Sequence, residues 1–376
     1  MRIIANKTTH KTHMEPKTRN CGRIVRQCAS TPTIFSSIFA KNRWRLMITD
    51  RKSAEREINR RAGAGEDFVF VISYDQSQYI LCHPDEAASR GLFFDFRGDS
   101  NSGDWAATEK RTEGPVQISA HPPAREEYHR AFRAAQEEIR AGNTYLINLC
   151  FESELKKCPP LSEVFFSAAA PYRLLLKEKF VVFSPEPFVR IEKNGYIKAH
   201  PMKGTIDAGL PHASDQLLND PKERAEHHTI VDLLRNDLAI SAREVEVLKF
   251  RYLDKIKSSS RALWQTSSEI RGKLPAEFRE RLGSILFKML PAGSISGAPK
   301  QKTIEIIQRI ENFDRGFYTG IAGIYRDGAL DSTVLIRFIE KRDGRCYYKS
   351  GGGITGMSDA QSEYEELMAK IYVPVH

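Results

Sequence analysis

Apolar residues fall along this chain in short runs and helical stripes, and those patterns predict its elements. Phe68–Tyr74 and Tyr79–Cys82 are strand-length apolar runs separated by polar Asp75-Gln76, which predicts two strands and a turn. Ser53–Arg61 reads as a short polar helix. Arg125–Ala141 sets Tyr128, Phe132, Ala135 and Ile139 on one helical face and ends at Gly142-Asn143, so it predicts an amphipathic helix. Strand-like Tyr145–Phe151 follows. Val181–Phe183, Val189–Glu192 and Tyr196–Ala199 predict successive antiparallel strands, the last pair turning at Asn194-Gly195. Lys222–Asn236, Ser284–Leu290 and Lys300–Ile310 predict helices. The last two flank the small-residue loop 292–299, and Pro299 suits a first helical turn. Ile321–Tyr325, Ser332–Ile339 and Cys346–Lys349 read as strands, and Gly351-Gly352-Gly353 leads toward a final helix, Asp359–Ile371. Glycines and prolines across 98–123 mark a long loop or boundary. Strand pairs mixed with helix pairs favour an α+β layered fold over regular βαβ alternation.

The 376 residues suffice for one large domain or two modest ones. No apolar run approaches the roughly 18 residues that a membrane span needs, so a membrane partner is not expected. The net charge of +9 is confined to residues 1–46, which hold ten Lys/Arg and one acidic residue. The rest of the chain is charge-balanced and carries no aromatic-interleaved basic patch, which argues against a nucleic-acid partner. Residues 1–46 therefore read as a basic extension. A translated upstream segment preceding a true start at Met47, a targeting peptide and a functional arm all remain open. The six cysteines (Cys21, Cys28, Cys82, Cys150, Cys158 and Cys346) include no C-x-x-C pair, so zinc is not expected. Free thiols in a reducing cytoplasm are the expected state.

Several groups offer chemistry. Glu223 and Glu226 are three residues apart on one predicted helix, and Glu363 and Glu366 on another, so each pair shares a helix face. Two such faces brought together would offer the hard oxygen ligands that Mg²⁺ prefers, although such pairs are also common on solvated surfaces. Gly351–Gly353 could present bare N–H groups to an anion or form a tight strand-to-helix turn. The 292–299 loop opens a helix but lacks Walker spacing. Lys203, after a strand and before Gly204, is a candidate nucleophile if its pKa is depressed, or else a solvated loop lysine. Glu186, between Pro185 and Pro187, is a candidate general acid or a turn carboxylate. His227 and His228 could orient a ligand, pack, or face solvent.

Taken in order, these segments resemble the chorismate-utilising enzymes, which include anthranilate synthase component I, aminodeoxychorismate synthase component I and the isochorismate and salicylate synthases. The resemblance rests on Ser184-Pro185-Glu186, Pro201–Thr205, Glu223–Leu238, Leu290–Lys300, Tyr318-Thr319-Gly320, Asp331–Arg337, Gly351–Gly353 and Glu363–Glu366, and covers roughly Glu126 to Tyr372. It implies a layered α/β sandwich of large, mostly antiparallel sheets with helices outside. Within it, 47–124 would be a short N-terminal part of the fold and 125–376 the chorismate-binding catalytic domain.

The resemblance also implies roles. Glu226 and Glu363 would ligate Mg²⁺ directly, with Glu223 and Glu366 assisting. Lys370 would lie near the ring carboxylate of chorismate. Tyr318, Gly320, Arg337 and the amides of Gly352 and Gly353, with Thr205 and Ser296, would contact substrate. Glu186 would protonate the departing 4-hydroxyl. Pro201-Met202-Lys203-Gly204-Thr205 resembles the aminodeoxychorismate synthase branch, in which the lysine attacks ring C2 before ammonia enters at C4, toward para-aminobenzoate and folate. Anthranilate synthases usually have alanine there. Leu146 stands where hydroxylating relatives place a lysine base, and Gln265 where many relatives have histidine. With no glutaminase segment in the chain, ammonia is expected from a separate glutamine amidotransferase subunit.

Overall fold

The computed structural model describes residues 47–48, 50–103, 105, 116–257 and 262–374. The basic stretch 1–46 lies outside the described residues, with Cys21 and Cys28. In chain order the strands are β1 (Met47–Ile48), β2 (Phe68–Ile72), β3 (Tyr79–Cys82), β4 (Leu92–Phe96), β5 (Asp99–Ser100), β6 (Leu146–Glu154), β7 (Tyr172–Leu176), β8 (Phe180–Ser184) and β9 (Pro187–Ile191). They continue as β10 (Tyr196–Ala199), β11 (Met202–Asp207), β12 (Arg243–Lys257), β13 (Ala262–Lys273), β14 (Gly297–Ala298), β15 (Ile321–Arg326), β16 (Ala329–Val334), β17 (Phe338–Arg342) and β18 (Arg345–Thr355). The helices are α1 (Arg51–Gly63), α2 (Pro84–Ala87), α3 (Arg125–Arg140), α4 (Leu161–Ser167), α5 (Ala213–Asn219), α6 (Pro221–Ala239), α7 (Leu282–Met289), α8 (Lys300–Ile310) and α9 (Ala360–Ala369).

A ten-stranded sheet runs β1-β3-β2-β15-β16-β9-β10-β13-β11, with β12 also on β13, and an eight-stranded sheet runs β14-β6-β18-β17-β8-β7-β4-β5. All strand pairings between these elements are antiparallel. The two sheets pack face to face. Successive strand residues point to opposite faces, so Val69 and Val71 of β2 meet Phe94, Leu174 and Val182 of the other sheet. Phe68, Phe70 and Ile72 face outward onto Ala54 and Ile58 of α1 and Leu286 of α7. Burial on both faces explains why β2 is a continuous apolar run. On the far side, α3, α8 and α9 cover β6 and β18 through Phe132, Ile306, Leu367, Leu149 and Ile354. This is the expected layered α+β sandwich of antiparallel sheets with helices outside. The described residues from Met47 onward fall in one compact unit, and β2 from the early part pairs with β15 from the late part.

Several local expectations need correction. The runs at 181–183 and 189–192 are not adjacent strands: β8 lies in the eight-stranded sheet and β9 in the ten-stranded one. Ser184-Pro185-Glu186 is therefore a crossing between layers. The run 332–339 also breaks, into β16 and β17, with Arg337 at φ +55 in the gap. The two crossings run side by side and bond each other, Val334 N–H to the Glu186 carbonyl (3.1 Å) and Phe183 N–H to the Arg337 carbonyl (3.1 Å). Glu186 and Arg337 thereby stand together where the chain changes sheet.

Gly351–Gly353 form neither a nest nor a turn but lie inside β18, opposite Cys150, Leu149 and Asn148 of β6. A Cβ on Gly351 would come within 2.6 Å of the Cys150 sulfur, so the glycine permits a close approach of chains. Pro299 caps α8 from outside instead of entering its first turn. The long β12–β13 hairpin is not among the expected elements; β12 packs Val245 and Val247 on the core while Leu248 and Phe250 stay exposed. The expected set of free thiols is also wrong: Cys158 and Cys346 form a disulfide, with Cα atoms 5.0 Å apart. The end of β6 and the start of β18 bring them together, since Leu155 N–H bonds the Cys346 carbonyl at 2.8 Å. Cys82 and Cys150 are free and buried.

Gly320 has a packing role. A Cβ there would sit 2.1 Å from the Ile72 carbonyl oxygen, so β2 and β15 would have to part. Gly320→Ala is expected to lower stability by about 1–3 kcal/mol, the usual cost of overpacking a tight core, read as a fall in the urea midpoint at unchanged slope.

Candidate active site

Helix starts deliver the carboxylates. Asp220 caps α6 by accepting the Glu223 N–H (2.9 Å) and Pro221 occupies its first turn, while Asp359 caps α9 by accepting the Ser362 N–H (2.9 Å). These caps set Glu223 and Glu226 early in α6, and Glu363 and Glu366 early in α9. Glu226 and Glu363 are 8% and 7% exposed, too buried for ordinary surface acids, so the solvated-face reading fails for them.

Ammonium groups bind the cluster together. Lys203 Nζ is 2.7 Å from Glu226 Oε2. Lys222 Nζ stands 3.8 Å from both Glu226 Oε1 and Glu363 Oε1, bridging the two helices. Lys370 Nζ reaches Glu366 Oε1 at 2.8 Å and the Gly351 carbonyl at 3.0 Å. Above them Gly352 leaves open space, since a Cβ there would meet nothing nearer than Lys370 Nζ at 3.7 Å and Glu363 Oε2 at 3.8 Å. The Ser358 hydroxyl donates to Glu363 Oε1 at 2.9 Å.

The protonation pattern follows from these contacts. Burial pushes the Glu363 and Glu223 carboxyls up, and a neighbouring carboxylate, Glu366 for the first and Glu226 for the second, adds to the rise. For Glu366 partial burial works upward, but Lys370 and then Lys203 hold it below the usual range. Lys203 corrects an expectation. Burial pushes its pKa down, yet Glu226, Glu366 and Glu223 together outweigh that and raise it. In this arrangement Lys203 is a paired ammonium, not a poised neutral amine. Its backbone is held by Thr266, whose hydroxyl donates to the Lys203 carbonyl.

The donor set suits a hard divalent cation, being four carboxylates on two facing helix starts. Glu223 Oε2 is buried with no hydrogen-bond partner. Among the described residues, however, no three His, Cys, Asp or Glu side chains converge on one ion position. Lysine ammoniums occupy the space between the carboxylates instead.

Glu186 forms a second centre. The Ser294 hydroxyl donates to Glu186 Oε1. Burial raises the Glu186 pKa, while the Ser294 bond and then the Arg337 guanidinium oppose the rise. A cavity of about 90 Å³ opens beside it, walled by Phe188, Met202, Ile230 and Leu234, with His200 and Ser294 among its polar groups. Ile230 lies one helical turn beyond Glu226 on α6, so the cavity continues the same face. Burial lowers the His200 pKa and Arg190 adds to the fall.

The remaining candidates are placed unevenly. Arg337 donates to the Lys370 carbonyl (3.3 Å) and lies over the Tyr372 ring, linking the two centres. Thr205 is exposed on β11 and sits opposite Gln265 on β13. Leu146 packs against Gly353, its Cδ1 lying 3.3 Å from where a Cβ would be. Tyr318 is 2% exposed, edge-on to Phe338. Ser296 is fully buried and spends its hydroxyl on the Ala292 carbonyl (2.8 Å). His227 is buried and bonds Ser268 (2.7 Å), whereas His228 is exposed, packing on Phe250.

Three participants were not singled out from sequence: Ser294, Lys222 and His200. The i, i+4 spacing of Lys222 and Glu226 was a usable signal for the second. Nothing local marks Ser294, which bonds a carboxylate 108 positions away.

The chain is similar to known proteins in both sequence and fold. Residues 69–376 match the family described as chorismate binding enzyme. The chain is 48% identical over 310 residues to an uncharacterized PabA-like protein of Pasteurella multocida, covering 82% of this chain and 94% of that one. It is 32% identical to anthranilate synthase component 1 of Acetivibrio thermocellus (66% of this chain, 52% of the relative). It is 31% identical to aminodeoxychorismate synthase component 1 of Klebsiella aerogenes (67% and 58%). The solved structure of MenF, the menaquinone-specific isochorismate synthase from Escherichia coli, superposes with a TM-score of 0.66 at 17% identity, over 86% of this chain and 82% of that one, a likeness of fold. With a match that spans both sheets and both carboxylate helices, the chain belongs to the chorismate binding enzyme family.

Proposed function

We propose that this chain converts chorismate and ammonia to 4-amino-4-deoxychorismate, as the synthase subunit of an aminodeoxychorismate synthase feeding para-aminobenzoate and folate synthesis. The observation that carries the reading is Lys203, whose amine lies inside the carboxylate cluster, 2.7 Å from Glu226. An amination at C4 that retains configuration through two displacements needs such an amine, and an alanine at this position could not supply it.

Glu226 and Glu363 would hold Mg²⁺, with Glu223 and Glu366 assisting; when bound, the ion fixes the ring carboxylate and balances its charge. Arg337, with the open face at Gly352, the amide of Gly353 and Lys370, would receive the substrate's carboxylates, which a guanidinium pairs with bidentately. Lys203 Nζ, once deprotonated and released from Glu226, bonds to ring C2. The diene electrons shift through the ring and the C4–O bond breaks, with the hydroxyl leaving as water on the proton given by Glu186. Ammonia then bonds to C4, the electrons shift back and the C2–N bond breaks, returning Lys203 as the neutral amine, while the new C4 ammonium gives a proton back to the Glu186 carboxylate. A separate glutamine amidotransferase would supply the ammonia. Among the described residues no helix is long and apolar enough to cross a membrane, and cytoplasmic work with a cytoplasmic partner is part of the proposal.

The test is incubation of the purified chain with chorismate, Mg²⁺ and ammonium, with the product identified by mass. 4-Amino-4-deoxychorismate is expected. Anthranilate with pyruvate, isochorismate, or unchanged chorismate would each overturn the assignment. A second readout does not need turnover: Mg²⁺ should speed labelling of Lys203 by an amine-directed reagent, because neutralising Glu226 removes what raises its pKa.

A further inference from the structure

A single buried ion pair lies beneath the site and touches three of the segments that build it. Arg315 is 3% exposed, and its partner Glu311, four residues earlier in the loop after α8, accepts from two of its nitrogens at 2.8 Å and 2.6 Å. The guanidinium also donates to the Ile295 carbonyl (2.9 Å), the Asn148 carbonyl (2.8 Å) and the Thr319 hydroxyl (3.3 Å), and lies over the Tyr74 ring. Glu311 in turn accepts the Cys150 N–H at 2.9 Å.

These contacts converge on one loop. Asn148 donates its side-chain amide to the Ser294 carbonyl (3.3 Å) and its N–H to the Ser296 carbonyl (2.8 Å). Asn148 also faces Gly353 across the β6–β18 ladder. Ile295 and Asn148 thus hold residue 294 from both sides, and the Ser294 hydroxyl is what Glu186 accepts. A buried charge is costly to keep, and a pair is weak evidence for stability alone. A planar fork with several donors, however, fixes separate carbonyls at set distances in a way that a flexible ammonium does not.

We infer that Arg315, locked by Glu311, is a positioning residue for Glu186: it fixes the loop carrying Ser294 and so holds the carboxyl in place for proton delivery. The inference rests on the reading of Glu186 as the general acid. Arg315 itself touches neither substrate nor reacting atoms.

The test reads the pH dependence of kcat. A general acid must be protonated, so kcat falls as pH rises through its pKa. The Ser294 bond favours the ionised carboxyl, so its loss moves that descending limb to higher pH, by roughly one unit for a hydrogen bond to a charged group. The groups facing Glu186, Arg337 and His200, stay in place in every variant. Ser294→Ala sets the reference shift. Arg315→Lys should move the limb the same way and lower kcat on the order of 10²-fold, as misplacement of a reacting group does, with KM changed less than about threefold. The double variant should move the limb no further than Ser294→Ala alone. If Arg315→Lys does not fold, Glu311→Gln, which keeps an oxygen for the Cys150 N–H, is read in its place. A shift with Ser294→Ala but an unmoved limb in the Arg315 or Glu311 variant would overturn the inference and leave the proposed function intact. An unmoved limb in Ser294→Ala as well would overturn the role of Glu186, and the inference with it.

Discussion

Lys203→Ala should lose 4-amino-4-deoxychorismate production by on the order of 10³-fold or more, within the range seen when a catalytic nucleophile is removed. The variant deletes the amine that lies 2.7 Å from Glu226 while leaving Arg337, Glu186 and the carboxylates in place. Chorismate should still bind, so KM or a directly measured Kd should change far less than kcat. Ammonia can no longer reach C4 by double displacement, and a minor product aminated at C2 is the expected residue of activity. Wild-type protein given chorismate without ammonia should carry an adduct on the peptide containing Lys203. Undiminished 4-amino-4-deoxychorismate from Lys203→Ala would show the lysine to be an incidental contact. Loss of the ion pair also bears on the fold. Glu226 would keep only Lys222 at 3.8 Å as a cationic neighbour, so the melting temperature should be measured beside the rate.

Glu226→Gln and Glu363→Gln should each abolish turnover at limiting Mg²⁺ with the fold retained. Each removes one negative charge from a site whose donors are hard oxygens, at nearly constant shape. The apparent Mg²⁺ affinity should fall at least about 100-fold, the upper end of what even an outer partner of a metal costs. The readouts are the Mg²⁺ concentration for half-maximal rate and far-UV circular dichroism. Near-wild-type turnover at limiting Mg²⁺ in either variant would remove that residue from the ligand set. Glu226→Gln also releases Lys203, whose raised pKa depends first among its charged neighbours on Glu226. Lys203 should therefore label faster with an amine reagent in this variant, even without Mg²⁺, whereas Glu363→Gln should leave Lys203 still paired.

The amino-acid sequence by itself determined what depends on neighbours along the chain. The helix face shared by Glu223 and Glu226, and that shared by Glu363 and Glu366, follow from three-residue spacing and good caps at Asp220 and Asp359. The strands β2, β3 and β15 were legible because their apolar runs are continuous. Tertiary structure decided the rest. Whether 181–183 pairs with 189–192 depends on which sheet each joins, and only the crossing at Pro185 separates them. The same crossing places Glu186 beside Arg337, residues 151 positions apart in number. The paired state of Lys203, the disulfide between Cys158 and Cys346, and the hold of Arg315 on the Ser294 loop all join distant segments. Local periodicity carries no record of such partners, because an element's hydrophobic face specifies that it is covered but not by which element. Proton affinity is decided later still, since the field at a buried amine is the sum over charges that only the folded chain brings within a few ångströms.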